Sequence, residues 1–218
     1  QTFSDSIPVM NTNWSQTVSL PKFDPALGTL QTIQLTLDGH IEGQAAVEST
    51  DASATTITTQ FQANLTLARP DNSVIAVVIP QITNIVNLSP FDGTIDFAGP
   101  SGMTFPGLMQ NAQQSVTSPP PRSDLALFTG TGNIVLPVTA VGTSVATGSG
   151  NVVTQFATRA SAVVTVADSP KLSVTWLFCR RTALYMCVVG SCWTRISHSA
   201  WSLLSSNTPP LRHSSSRK

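Results

Sequence analysis

The residues able to do chemistry are few, and they are poorly placed for it. Residues 1–168 contain one histidine, His40, and no cysteine. A serine or cysteine nucleophile needs a base beside it, so His40 is the only imidazole candidate there. It follows Asp38-Gly39, a pair that favours tight turns, and reads as an exposed turn histidine. No G-x-S-x-G elbow and no Walker motif occurs. Gly130-Thr131-Gly132 supplies a G-x-G, but the third glycine and the following helix are missing, so it reads as a strand connection. Asp92 and Asp96 lie four apart in Phe91–Phe97, and loop oxygens can hold Ca²⁺. The closely spaced acids and bidentate glutamate of a calcium loop are absent. Asp92 therefore reads as shaping a turn, and Asp96 as facing solvent on a strand. The other acids are scattered through turns, and none forms the carboxylate pair of a glycoside hydrolase. Cys179, Cys187 and Cys192 with His198 form a weak metal-binding set, because zinc modules use paired C-x₂-C spacing. The expectation is of no catalytic residue, no cofactor and no metal, hence no enzyme.

Composition narrows the class further. Charged residues make up 10% of the 218, against about 25% in an average soluble protein. Hydrophobic residues make up 41%. Disorder requires low hydrophobicity with high net charge, and neither is present. Without a basic excess, a nucleic-acid partner is not expected. No apolar run reaches the ~18 residues of a transmembrane helix. The zero net charge hides two unlike parts. Residues 1–168 hold four bases against eleven acids, a net charge of −7. Residues 169–218 hold seven bases, no acid and all three cysteines. Such a break marks a boundary near residue 168.

Residues 1–168 read as one all-β domain, an antiparallel sandwich or jelly-roll-like fold. Alternating side chains point to opposite faces of a strand. Ile57, Phe61, Ala63, Leu65 and Leu67 share one face against Thr58, Gln60, Gln62, Asn64 and Thr66. Ile33, Leu35 and Leu37 alternate with Gln34 and Thr36. Ala160, Ala162, Val164 and Val166 alternate with Arg159, Ser161 and Thr165. Val74–Ile79 is continuously apolar and suits a strand buried on both faces. Arg69-Pro70-Asp71-Asn72-Ser73 predicts a hairpin turn. Asp38-Gly39, Asp92-Gly93 and Gly148–Asn151 predict further turns, and nine or ten strands follow. The stretch 98–124 is rich in proline and glycine. It predicts a long loop with a short helix around Leu108–Gln114.

Five segments carry a resemblance to a known family: Ser4–Pro8, Leu20–Leu30, Phe91–Gly102, Asp124–Val138 and Ser149–Val166. Within them, Pro21-Lys22-Phe23-Asp24-Pro25 and FDGTIDFAGPSG (Phe91–Gly102) are the most specific. Residues 2–167 resemble the choice-of-anchor E domain family of bacterial surface proteins. The resemblance implies an exported β domain followed by an anchoring signal, with no activity and no catalytic set to carry over. The chain departs from the pattern after residue 168, where neither an LPxTG-type nor a PEP-type signal is present.

An extracellular location after signal-peptide removal is expected from the start at Gln1, with no basic or apolar leader. The scarcity of trypsin-like cleavage sites before residue 168 agrees with it. Sequons at Asn13, Asn64 and Asn87 carry little weight, since Ser/Thr-rich chains produce them by chance. Residues 169–218 admit three readings: a structured basic extension, an anchor or metal module, or an out-of-frame translation joined to a genuine domain. For residues 1–168, the leading expectation is a non-enzymatic extracellular structural protein. Self-association would come by strand exchange, with Gln1–Asn13 as the donated arm and Phe3, Ile7, Val9 and Met10 as its anchors. The competing expectation for that arm is an ordinary first strand of its own domain. A second function class is a surface carbohydrate- or ligand-binding module using the 98–124 stretch.

Overall fold

The computed structural model describes residues 1–118, 124–148, 150–171, 174–178, 184–188 and 191–193. Ten strands carry the main body: β1 (Thr2–Asn11), β2 (Trp14–Pro21), β3 (Thr29–Ser49), β4 (Thr55–Ala68), β5 (Val74–Val78), β6 (Gln81–Leu88), β7 (Gly102–Ser118), β8 (Asn133–Gly142), β9 (Val145–Gly148) and β10 (Val152–Lys171). The first sheet has the order β1-β10-β3-β7. In the second, the order is β2-β8-β4-β5, with β6 and β9 also paired to β4. Leu65 pairs with Val78 and with Ala140, while Gln60 pairs with Thr83 and with Val145. Thus β5 and β6 follow each other along one side of β4, and β8 and β9 along the other. Six strands fill four positions. The chain alternates between two antiparallel sheets of four positions each, which is the jelly-roll plan.

Alternation explains the core. In β4, Ile57, Phe61, Ala63, Leu65 and Leu67 are buried, while Thr58, Gln60, Gln62, Asn64 and Thr66 are half-buried. In β3, Ile33, Leu35, Leu37 and Ile41 are buried, and so are Ala160, Ala162, Val164 and Val166 of the neighbouring β10. Asp168 continues the inward series of β10, and its Oδ2 is buried with no hydrogen-bond partner. Burial pushes its carboxyl above the ordinary carboxylate value. With the folded value raised, the stabilising contribution is full below about pH 4 and is lost as pH rises through that value. Asp168→Asn is therefore expected to be more stable than the parent at pH 7, with the difference shrinking toward pH 3. Denaturant unfolding across that range checks it, and equal stabilities at pH 7 would refute it.

Three local expectations are corrected. Residues 102–118 of the expected 98–124 loop form β7, fifteen of whose residues pair with β3; no helix forms at Leu108–Gln114. As an edge strand wetted on its outer side, β7 lacks the buried alternation that would have revealed it, and Pro106-Gly107 falls where its register with β3 shifts. Residues 119–123 lie outside the described ones. A thirteen-residue connection, Ser89–Ser101, instead precedes β7. Val74–Ile79 is not buried on both faces. Ala76 and Val78 are buried, but Val74 is 57% and Ile79 50% exposed, because β5 lies at the sheet edge beside β4 alone. The turn expected at Asp38-Gly39 does not form. These residues lie mid-β3, where a Cβ on Gly39 would stand 2.6 Å from Val78 Cγ2. The glycine serves close approach of the two sheets.

The hairpin expected at Arg69–Ser73 is present. Asn72 has φ 66°, its N–H donates to Arg69 O (2.8 Å), and Arg69 N–H donates to Ser73 O (2.8 Å). Asp71 Oδ1 accepts both Ser73 Oγ–H (2.7 Å) and Ser73 N–H (2.9 Å), which lowers the Asp71 carboxyl below its ordinary value.

A second compact unit comprises Leu27–Thr29 and Lys171–Lys218. Its described strands, β11 (Val174–Phe178), β12 (Leu184–Val188) and β13 (Ser191–Trp193), form a three-stranded antiparallel sheet in that order. Of the cysteine–histidine set, Cys179 and His198 lie outside the described residues.

Candidate functional site

The residues singled out for strand exchange fall on β1, at the edge of the first sheet. Among the described strands it pairs with β10 alone, in a register running from Thr2↔Ala167 to Asn11↔Arg159. Phe3, Asp5, Ile7 and Val9 are less exposed than their neighbours Ser4, Ser6 and Pro8, and Ile7 is buried. A register shift between Ile7 and Met10 turns Met10 partly inward as well. The structure thus places all four anchors on one strand within their own domain. After Asn11 the chain crosses to the second sheet through Thr12 and Asn13, and Asn13 adopts φ 71°. Its Oδ1 accepts Gly142 N–H at 3.2 Å, so this sequon asparagine is engaged in the crossing. Asn87 Oδ1 accepts Thr56 Oγ–H, and Asn64 Oδ1 is buried without a partner.

The sheet edges share two features. Among β1, β2, β5, β6 and β7, Asp5 is the only charged residue. Natural edges are usually blunted with charge, lysine above all. Side chains of the first sheet also reach edge amides of the second. Asp5 Oδ2 accepts Ser19 N–H (2.7 Å) on β2, and Gln114 Oε1 accepts Val77 N–H (2.8 Å) on β5. Both flanks of the sandwich are latched in this way. The outer edges of β1 and β7 remain the ends of the first sheet.

His40 is not in a turn. It stands mid-β3 on the outer face of the first sheet, in line with Asp38 and Glu42, since alternate residues share a face. Register puts His40 opposite Asn111 and Asp38 opposite Gln113. His40 Nδ1 donates to Asn111 Oδ1 at 2.6 Å, and the Gln113 amide donates to Asp38 Oδ1. Glu42 Oε2 lies 3.6 Å from His40 Nε2, while Glu42 Oε1 accepts from Arg159 Nη1 at 2.7 Å. Arg159 Nη2 also donates to Val9 O (3.4 Å). A polar network therefore runs from β7 across β3 to β10 and reaches β1. Beside it lies an open depression of about 370 Å³. Sequence patterning could have placed Asp38, His40 and Glu42 on one face of a strand, had the Asp38-Gly39 turn signal not split that strand.

The remaining candidates are structural. Asp92 Oδ1 accepts Thr94 N–H (3.0 Å), and Asp96 Oδ1 accepts Ala98 N–H (2.9 Å). Both close local turns in the Ser89–Ser101 connection, and Asp96 is not on a strand. Glu48 Oε2 takes Phe97 N–H (2.7 Å) and ties that connection to β3. Among the described residues no group of three or more His, Cys, Asp or Glu is placed to hold a metal ion. No described helix is long and apolar enough to cross a membrane.

No family model matches the chain, and no curated protein matches it. Among solved structures, a chain of infectious bursal disease virus, Gx strain, is similar at 11% identity with a TM-score of 0.17. The likeness covers 77% of this chain and 37% of that one. A chain of the Gt strain follows at 12% identity and a TM-score of 0.11, covering 78% of this chain and 40% of that one. This chain spans less than half of either viral chain, and at these scores the likeness carries no argument.

Proposed function

We propose that this chain is a non-enzymatic, exported structural protein of the choice-of-anchor E kind, whose subunits associate through the edges of the first sheet. The observation that carries the reading is β1. Among the described strands it is an edge strand with one neighbour, it carries Ile7 as a buried anchor, and it joins the domain through the two-residue crossing Thr12-Asn13. A strand so placed can leave β10 and take the same position in a second copy, with Phe3, Ile7, Val9 and Met10 reseating between that copy's sheets. Each subunit then gives one strand and accepts one, a head-to-tail contact that forms an open filament unless its rotation closes a ring. The near absence of charge on the edge strands supports the reading, because approach of a second edge then desolvates few ions.

The test is complementation. A chain lacking residues 1–11 is examined by negative-stain electron microscopy and size-exclusion chromatography beside the full chain. The full chain is expected to form fibres, and the truncated chain none. Adding a peptide of residues 2–11 should cap the truncated chain as a folded monomer. Fibres from the truncated chain, a full chain that stays monomeric at any concentration, or no binding of the peptide would each overturn the reading.

A further inference from the structure

The outer face of the first sheet carries a network that neither core packing nor the edge strands require. We infer that the depression beside Asp38, Asn111, Gln113 and Ser161 is a binding site for a neutral saccharide, held through a pair of adjacent ring hydroxyls.

The argument begins with what each side chain has left over. Asp38 uses Oδ1 on the Gln113 amide, and its Oδ2 has no partner among the described residues. Asn111 uses Oδ1 on His40 Nδ1, which leaves its amide hydrogens. Gln113 donates to Asp38 and keeps Oε1. Ser161, on β10, adds a hydroxyl to the lining. Cross-strand register sets these groups out in two adjacent pairs, His40↔Asn111 and Asp38↔Gln113, separated by Gly39↔Ala112. Gly39 and Ala112 face the other side of the sheet, so only backbone floors the depression between the two pairs. Its volume of about 370 Å³ falls at the lower end of small-ligand sites, roughly 300–1,000 Å³.

The mixture of groups selects the ligand class. Asp38 Oδ2 and Gln113 Oε1 accept, the Asn111 amide donates, and Ser161 does either. A hydroxyl both donates and accepts, so two neighbouring hydroxyls can satisfy the set. An ammonium only donates and would leave the Asn111 N–H groups unmatched. An anion would meet the Asp38 carboxylate, whereas the Arg159 guanidinium is already engaged by Glu42 at 2.7 Å. His40 is a positioning residue here. Held beside Glu42, its Nδ1–H fixes the Asn111 oxygen and so turns the Asn111 amide hydrogens outward. The lining includes no Phe, Tyr or Trp ring to stack on a sugar, so affinity for a single residue should be weak, on the order of millimolar.

The test uses saturation-transfer NMR on the full chain with methyl α-glucoside, methyl α-mannoside and methyl α-galactoside, and with putrescine as a cationic probe. At least one glycoside is expected to receive saturation, and putrescine none. Asp38→Asn and Asn111→Ala should each weaken the glycoside at least tenfold. Both positions lie on the solvent face, and an unchanged melting temperature would show that the variants fold. No transfer to any glycoside, transfer to putrescine alone, or Asp38→Asn binding like the parent would overturn the proposal. Because none of these readouts depends on fibre formation, the strand-exchange reading can fail without affecting the result.

Discussion

Gly43→Ala is expected to lower the melting temperature by ten degrees or more, or to leave the chain insoluble. Gly43 lies in β3 where the register against β7 shifts between Gly43 and Ala45. Its φ is +151°, and a Cβ built there would stand 1.9 Å from Ala157 O on β10, with Phe61 Cζ at 3.1 Å. Two costs combine. A non-glycine residue held in a sparsely populated backbone region loses on the order of 1–3 kcal/mol. The collision is with a backbone oxygen rather than the end of a flexible side chain, so β10 must move to relieve it. A domain of this size loses about 2–4 °C per kcal/mol, and a combined cost of about 5 kcal/mol gives the expected shift. Thermal unfolding followed by circular dichroism measures it, and a change under 3 °C would show that β10 yields readily. Adding Phe61→Ala to this variant should not rescue it, because the obstructing atom belongs to Ala157.

Phe61→Ala alone should destabilise the sandwich by about 3–5 kcal/mol, the range for removing a fully buried phenylalanine. That corresponds to a fall of about 6–20 °C in Tm. Phe61 has no exposed surface and sits in β4 between the two sheets. Its strand contacts β6 and β9 at this level, so the cavity would open where six strands share four positions, and collapse around it would be resisted. Ile85→Ala on β6 provides the comparison. Ile85 is 69% exposed, and surface changes away from special features stay within about 0.5 kcal/mol. Equal effects of the two substitutions would mean that the core is not where the alternation of β4 puts it.

These two positions differ in how visible they are before the fold is known. Phe61 belongs to an eleven-residue alternation, Ile57 to Leu67, that names both the strand and its buried face. The same holds for Ile33–Leu37 and for Ala160–Val166. The turn at Arg69–Ser73 is equally plain, since Pro70, Asp71 and Asn72 each fit one backbone requirement of a tight turn. Gly43 carries no such mark. Its need for glycine arises from a strand more than a hundred residues away, and nothing local in Glu42-Gly43-Gln44 announces it.

The candidate sites divide in the same way. Odd-numbered spacing placed Phe3, Ile7 and Val9 on one face of an arm, and burial follows that spacing, with the register shift bringing in Met10. The outer-face network was not legible. Asp38-Gly39 carries a turn signal by type, and only the approach of Val78 reveals that the glycine answers to interior crowding. Asn111 and Gln113 lay in a stretch whose proline and glycine content suggested a loop.

The all-β class, the alternating core strands, the Arg69–Ser73 hairpin and the compositional break near residue 168 were legible before the fold was known. Each of these is a local property, written in period-two hydrophobicity, turn chemistry or charge counts. Tertiary structure alone decided the jelly-roll order, the edge positions of β1 and β7, and the meeting of His40 with Asn111 and of Asp38 with Gln113. Those depend on pairing between strands some seventy to a hundred and sixty residues apart. The energy of such pairing comes from shared burial and cross-strand contacts, and neither strand's own sequence records it.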